Sequence, residues 1–248
     1  MNKLLVFTLA LLMSLSAANA MVGGPVFCIG EKMTGMTVEA TQAAIKLNNS
    51  GSGQSDNFRS QRVMLSARYG LLANADAAFQ LGASNLSISD LPSGYSEFST
   101  EWSFAWGCGI RAGYPEVAHP FQVIAAVNYF GFQPNGQTGN GTKSISSKYG
   151  WHEISPVISA GYAVGPVVPY VGLTKPFLFG SKTMDVTFNG QTYPAAGGRT
   201  NYSDGEQSMR GLIGLEWRWP DGYSLSAEGA AGSDGLWTLS VGVSQVLK

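Results

Sequence analysis

Residues 237–244 read WTLSVGVS, a run in which odd-numbered residues are apolar and even-numbered residues are small or polar. A similar alternation occurs in residues 62–69 (RVMLSARY) and in residues 211–219 (GLIGLEWRW). Because successive side chains of a β-strand point to opposite faces, each of these segments has one apolar face and one polar face. The dominant period of two therefore predicts an all-β protein.

Ten segments of the chain are candidate strands. They span residues 36–47, 61–72, 76–87, 100–113, 120–132, 152–164, 167–179, 208–219, 223–231 and 235–247. Eight strands is the main alternative, if 36–47 and one weaker segment are not part of the wall. An even number of strands places both ends of the chain on one side, where the first strand can pair with the last and leave no open edge.

The connections between these segments fall into two classes. Short turns follow the even-numbered strands, at residues 72–75, 115–118, 165–166 and 220–222. Long polar loops follow the first, third, fifth and seventh strands, at residues 48–60, 89–99, 133–150 and 180–207. Short turns at one end and long loops at the other are typical of membrane-spanning barrels. We therefore predict an antiparallel up-and-down transmembrane β-barrel whose apolar rows face lipid.

The first residues and the composition agree with this location. A lysine, an apolar run and the triplet at residues 18–20 predict a signal peptide over residues 1–20. An N-terminal periplasmic segment is expected at 21–35 and the barrel domain at 36–248. Charged residues make up only 12% of the chain, compared with about 25% in average soluble domains. The net charge of −1 argues against a nucleic-acid partner.

The rows opposite the apolar ones should line the lumen, and they carry charges. The predicted lumen network consists of Arg68, Arg111, Arg210, Glu216, Arg218 and Glu228, and Glu39, Glu101 and Glu153 fall in the same rows. Ions in a narrow lumen must be paired or hydrated, so bracing of the wall by ion pairs is the favoured interpretation. A narrow channel for small solutes is the alternative, because about ten strands leave at most a tight passage.

Aromatic residues cluster near the predicted short turns. Tyr69, Tyr114, Trp217, Trp219 and Tyr223 are expected to form an interfacial girdle at that end of the barrel. Phe188, Tyr193 and Tyr202 instead lie in the long segment 182–207, which is expected to be a hydrated loop.

Few residues suggest catalysis or metal binding. The two histidines are His119, at a short turn, and His152, which begins a strand beside Glu153. A hydrolase at the barrel mouth using His152 is a third hypothesis, but no nucleophile motif accompanies it. We expect no catalytic residue, metal site or cofactor. Cys28 and Cys108 are expected to be two separate thiols, with a disulfide as the alternative.

The segments 62–82, 154–175 and 208–246 resemble the small outer-membrane β-barrel proteins of Gram-negative bacteria, the OmpA-like and OmpX-like porin superfamily. The closest local likeness is residues 161–172, GYAVGPVVPYVG. The resemblance implies a monomer in the bacterial outer membrane, with membrane lipid and the barrel assembly machinery as partners. A structural or surface-interaction role is expected, with a surface ligand at the long loops as a candidate partner. A soluble secreted barrel is the remaining alternative.

Overall fold

A computed structural model describes residues 28–48, 55–88, 98–114, 120–139, 143–203, 208–233 and 235–247. The predicted signal peptide, His119 and the residues before Cys28 lie outside these ranges. The strands are β1 (Thr34–Asn48), β2 (Ser55–Leu72), β3 (Ala75–Ile88), β4 (Phe98–Thr100), β5 (Ser103–Tyr114), β6 (Phe121–Phe132), β7 (Asn135–Gly139), β8 (Lys143–Tyr162), β9 (Val167–Thr174), β10 (Phe177–Phe188), β11 (Gln191–Ser203), β12 (Arg210–Arg218), β13 (Tyr223–Gly232) and β14 (Trp237–Leu247). In the ranges described, no helix is long and apolar enough to cross a membrane.

Ten of these strands close into a ring. Antiparallel pairing runs through β8, β6, β5, β3, β2, β1, β14, β13, β12 and β9, and the ladder between β8 and β9 completes the circuit. The first and last strands pair directly, from Thr34 opposite Leu247 to Ala43 opposite Thr238. The ten-stranded antiparallel barrel predicted from the alternation is confirmed.

The remaining strands extend the wall at one end. Strands β9 and β10 pair one after the other with the single 20-residue strand β8, in the same register. They are therefore two parts of one long strand that is interrupted at residues 175–176. The short strands β4 and β7 pair with each other and continue the sheet toward β8. The result is a projecting sheet in the order β4, β7, β8, β10, β11, at what we call the extended end. The opposite end is called the short-turn end.

All four long-loop predictions are therefore wrong in part, and within 89–99 the residues Phe98 and Ser99 belong to β4. Residues 55–60 belong to β2, residues 135–139 and 143–150 belong to β7 and β8, and residues 180–203 form most of the β10–β11 hairpin. Serine, threonine, asparagine and glycine in these segments suggested loops, but each segment is paired to a long neighbour that satisfies its backbone groups.

The two faces of the wall differ as the alternation requires. Large apolar side chains are exposed on the outer face, as with Phe104, Ile110 and Ile213. Inner side chains are buried, and two apolar clusters lie among them, one toward each end of the lumen. Glu101 is an exception to the predicted inner row, because residues 101–102 interrupt the strand between β4 and β5 and leave Glu101 exposed. An apolar outer face around a closed ring is the arrangement that a bilayer requires.

Residues 28–33 pack into the short-turn end of the ring. Cys28 and Ile29 are buried, and the Cys28 thiol donates to the carbonyl oxygen of Asn74 at 3.1 Å. Backbone hydrogen bonds join Lys32 and Met33 to Gly70. This part of the predicted periplasmic segment therefore helps to close the barrel and does not hang free.

Candidate functional site

The lumen near the short-turn end is organised around one carboxylate, Asp76. Its Oδ2 lies 2.7 Å from Nη2 of Arg68, and its Oδ1 lies 2.9 Å from Nε of Arg111. The backbone N–H of Ile29 donates to Oδ2 at 3.2 Å. Because β3 begins one residue before Asp76, the turn between β2 and β3 aims this side chain inward. The buried carboxylate thus joins three parts of the chain, and its two cationic partners offset the cost of its burial.

A second ion pair crosses the middle of the lumen. Nη2 of Arg62 on β2 lies 2.8 Å from Oε2 of Glu153 on β8, although these strands are four places apart in the ring. Ser155 donates to the other carboxylate oxygen at 3.0 Å. Arg62 also places its guanidinium 4.1 Å above the ring of Phe130. This contact holds opposite walls together in a way that neighbouring strands alone cannot.

The wall formed by β9, β12, β13 and β14 carries further polar contacts. The hydroxyl of Tyr170 donates to Glu228 at 3.0 Å, Nε of Arg218 donates to Glu216 at 3.1 Å, and Arg210 donates to Thr238 at 3.2 Å. The register of β12 with β13 sets Glu228 opposite Gly214, where it meets Tyr170.

The charges inside the barrel balance. The inner rows of the ten ring strands carry five arginines and five carboxylates among their described side chains. These are Arg62, Arg68, Arg111, Arg210, Arg218, Glu39, Asp76, Glu153, Glu216 and Glu228. A lumen with equal numbers of each sign carries no net charge that would favour cations over anions.

The extended end of the lumen is apolar, which corrects the prediction of a polar lumen throughout. Its centre is an aromatic cluster in which the rings of Phe58, Phe132, Tyr149 and Trp151 contact one another with centroids 5.6 to 6.2 Å apart. Leu86, Phe98 and Leu178 pack against this cluster and are also buried. Edge-to-face contacts of this kind favour a fixed arrangement of rings.

Little space remains between the aromatic cluster and the ion pairs. A cavity of about 50 Å³ lies there, lined by residues that include Glu39, Met64, Glu153, Leu178 and Arg210. That volume suffices for a few water molecules. An open pore would expose the inner rows to solvent, whereas Thr41, Ser84 and Val168 have no exposed surface. The lumen is therefore filled by side chains at both levels.

One side of the lumen is lined by small hydroxyl residues of β1, β2 and β14. Thr37 and Ser244 share a hydrogen bond of 2.9 Å. The buried hydroxyls of Thr41, Ser66 and Ser240 have no hydrogen-bond partner among the described residues. Since buried polar groups are normally satisfied, these three hydroxyls mark where water would enter.

The structure places the predicted residues as follows. All six members of the proposed charge network, Arg68, Arg111, Arg210, Glu216, Arg218 and Glu228, lie on inner rows. Sequence reasoning left Asp76 out of that network, although it shares the parity of Ser84 and Leu86, which are buried on the same strand. Arg62 likewise shares the parity of Arg68 and was left out.

The predicted interfacial aromatics lie on or near the outer face. Tyr69, Tyr114 and Trp217 are exposed, while Trp219 and Tyr223 are partly exposed beside the 220–222 turn. The rings of Trp217 and Trp219 are 6.4 Å apart. A second outer set toward the extended end was not foreseen and includes Trp102, Trp106, Phe177, Phe179 and Trp237.

His152 lies on the outer face of the wall. Its Nδ1 is 2.7 Å from the Tyr129 hydroxyl, and its ring stacks on Phe179 with centroids 5.4 Å apart. Glu153, the next residue, points to the opposite face and binds Arg62. The two residues named in the hydrolase hypothesis are therefore separated by the wall.

The two cysteines are free thiols in different surroundings. Cys108 is exposed on the outer face, and Cys28 is buried at the short-turn end. Burial raises the pKa of the Cys28 thiol to about 11, and the nearby Asp76 carboxylate adds to the rise.

No family model and no curated protein matches the sequence. Solved structures with a similar course of the chain include the OprG outer-membrane protein of Pseudomonas aeruginosa, at 10% identity and a TM-score of 0.47, covering 89% of this chain and 99% of that one. The translocator domain of the autotransporter NalP from Neisseria meningitidis is 13% identical, with a TM-score of 0.46 and coverage of 88% and 89%. The outer-membrane protease OmpT of Escherichia coli is 9% identical, with a TM-score of 0.46 and coverage of 92% and 100%. Its ring of ten antiparallel strands and its apolar outer face give this chain the fold of a membrane-spanning β-barrel.

Proposed function

We propose that this protein acts at the cell surface as a closed barrel, in which the lumen braces the wall and the projecting sheet makes the interactions. The observation that supports the proposal is the filling of the lumen at two levels. The aromatic cluster around Trp151 fills the extended end, and the ion pairs around Asp76 fill the short-turn end together with Cys28 and Ile29. A barrel of ten strands has room for such filling and for little else.

The projecting sheet offers a defined surface for recognition. At its tip the turn between β10 and β11 is formed by Asn189 and Gly190, both with positive φ, which is the geometry of a tight hairpin. Thr187 and Thr192 share a hydroxyl hydrogen bond of 3.0 Å beside this turn. Phe188 and Tyr193 are exposed there. Exposed aromatic side chains on a paired hairpin supply contact area with little loss of conformational entropy on binding.

A narrow channel is the second candidate, and the hydroxyl-lined side of the lumen favours it. Thr41, Ser66 and Ser240 would be hydrated, so a file of water along β1 and β14 could reach the small cavity beside Glu39. In this case the ion-paired side chains and the rings of the aromatic cluster would have to move apart during conduction to open a path through the lumen.

Single-channel recording in planar bilayers separates the two candidates. The closed barrel predicts no stable conductance for the wild type, for F58A/W151A or for R68S/D76S, because each double variant keeps one closure. A variant that combines these four substitutions with R62S and E153S, which remove the ion pair across the middle of the lumen, is expected to conduct. Stable openings of the wild type would contradict the closed barrel and favour the channel.

The surface role has its own test. Cells displaying the wild type and cells displaying F188S/Y193S are compared for self-aggregation and for binding to immobilised extracellular-matrix glycoproteins. We expect cells displaying F188S/Y193S to lose binding. The variant protein should still be a folded barrel, which is checked by the change in its gel mobility on heating. Equal binding by the two kinds of cells, or none by either, would contradict a surface role for this hairpin.

A further inference from the structure

A polar groove lies on the outer face of the projecting sheet, across β7, β8 and β10. Its volume is about 420 Å³, and its floor is Gly150, which has no side chain to fill it. The side chains around that floor are Gln133, Asn135, Lys148, His152, Ser181 and Thr183. Tyr149 and Trp151 point into the buried aromatic cluster, so alternation along β8 sends Lys148 and His152 outward.

The groove begins where the lipid-facing aromatic residues end. His152 is the register partner of Phe179 on β10 and of Gly131 on β6, and Gly131 is the partner of Trp106 on β5. Phe179 and Trp106 are exposed on the outer face. Lys148 is four residues farther along β8, about 13 Å toward the extended end at the usual rise of a strand. Polar groups therefore continue directly from an apolar band, which is the arrangement expected where a barrel wall passes from hydrocarbon to headgroups.

The chemistry of the lining suits an anion attached to a polyol. Lys148 is exposed and has no ion-pair partner among the described residues. His152 is held through Nδ1 by Tyr129 and by stacking on Phe179, which leaves Nε2 as the nitrogen open to a ligand. The amides of Gln133 and Asn135 and the hydroxyls of Ser181 and Thr183 can donate to or accept from sugar hydroxyls. The lining includes no carboxylate; the nearest outward acid along β10 is Asp185, beyond Thr183.

We propose that this groove binds the phosphorylated sugar headgroup of a glycolipid in the outer leaflet, with Lys148 contacting the phosphate. The acyl chains would lie along Phe179, Phe177 and Trp106, the apolar surface that continues from the groove. This continuity favours a lipid over a soluble phosphate, which would gain nothing from the aromatic band. The inference goes beyond the proposed function, since a lipid-bound barrel can be closed or open.

The test measures binding of bis-phosphorylated lipid A to the barrel purified in a neutral detergent, by native mass spectrometry across a lipid titration. K148Q is expected to weaken apparent affinity about fivefold through loss of a charge-assisted contact, and H152A is expected to weaken it less. R59Q is the matched control, because Arg59 is an exposed cation on β2, away from the groove. Every variant must first show the heat-dependent gel shift of a folded barrel.

The ligand controls separate the possible sources of binding. Dephosphorylated lipid A is expected to bind the wild type no better than phosphorylated lipid binds K148Q. D185N is expected to strengthen binding, because it removes the nearest negative charge. Equal losses in K148Q and R59Q, equal binding of the dephosphorylated lipid, or displacement of the lipid by millimolar inorganic phosphate would each overturn the proposal.

Discussion

Arg62 and Glu153 are 91 residues apart in the chain, yet their side chains meet at 2.8 Å inside the barrel. Three ring strands, β3, β5 and β6, separate the strands that carry them. The contact is therefore a tie across the lumen between opposite walls. Because both side chains are buried, bulk water cannot solvate one of them when the other is removed.

Substitution E153Q is expected to lower the free energy of unfolding by about 3 kcal/mol, because it leaves the Arg62 guanidinium buried without its carboxylate. The double variant R62M/E153L should lose much less, since no unpaired charge remains. Urea unfolding followed by tryptophan fluorescence measures both. A double variant as unstable as E153Q would show that lost packing, and not the orphaned charge, dominates.

Substitution G214A tests the close packing of Tyr170 against the wall. A Cβ at Gly214 would lie 2.1 Å from Cζ of Tyr170, whose hydroxyl is tied to Glu228. We expect a loss of about 2 kcal/mol from overpacking. G211A is the matched control on the same strand, because no described residue other than its chain neighbours has an atom within 4 Å of a Cβ there. Equal stability of the two variants would contradict this packing.

Substitution I213R tests which face of the wall contacts lipid. Ile213 is 67% exposed in the middle of β12, so an arginine there should cost about 2 to 4 kcal/mol in a bilayer. Q137R, on the exposed face of β7 in the projecting sheet, should cost little. Unfolding in lipid vesicles measures the difference. An I213R barrel as stable as the wild type would argue against a lipid-facing outer row.

The Cys28 thiol should be protected from alkylation in the folded barrel. Its pKa of about 11 leaves almost no thiolate at pH 7, and residues 28–33 hold it inside the short-turn end. In a C108S variant we expect a maleimide to label Cys28 only after heat denaturation, or as the pH approaches 11. Rapid labelling of the folded C108S variant at pH 7 would show that this segment leaves the lumen.

The sequence alone determined the wall of the barrel. A period of two is a local property of a strand, so the alternation in segments such as 237–244 was enough to predict the strands, their apolar face and a count of ten. The short turns at residues 72–75, 165–166 and 220–222 were likewise readable, because turn chemistry depends on a few adjacent residues. The inner rows of arginine and glutamate followed from the same parity.

Tertiary structure decided what those inner residues touch. Which charges meet depends on the register between strands and on closure of the ring, and neither is a property of one segment. Parity placed Arg68 inside, but the register of the β2–β3 hairpin brings it to Asp76, and the register of β12 with β13 sets Glu228 where it meets Tyr170. Only closure of the ring brings Arg62 to Glu153. The break at residues 101–102 reverses the parity near Glu101, and pairing with the long strand β8 turns polar segments into the projecting sheet. The alternating pattern that gives a strand one apolar face is set by residues that are neighbours in the sequence. A lumen contact such as that between Arg62 and Glu153 instead joins residues that are far apart in the sequence and that only the closed barrel brings together.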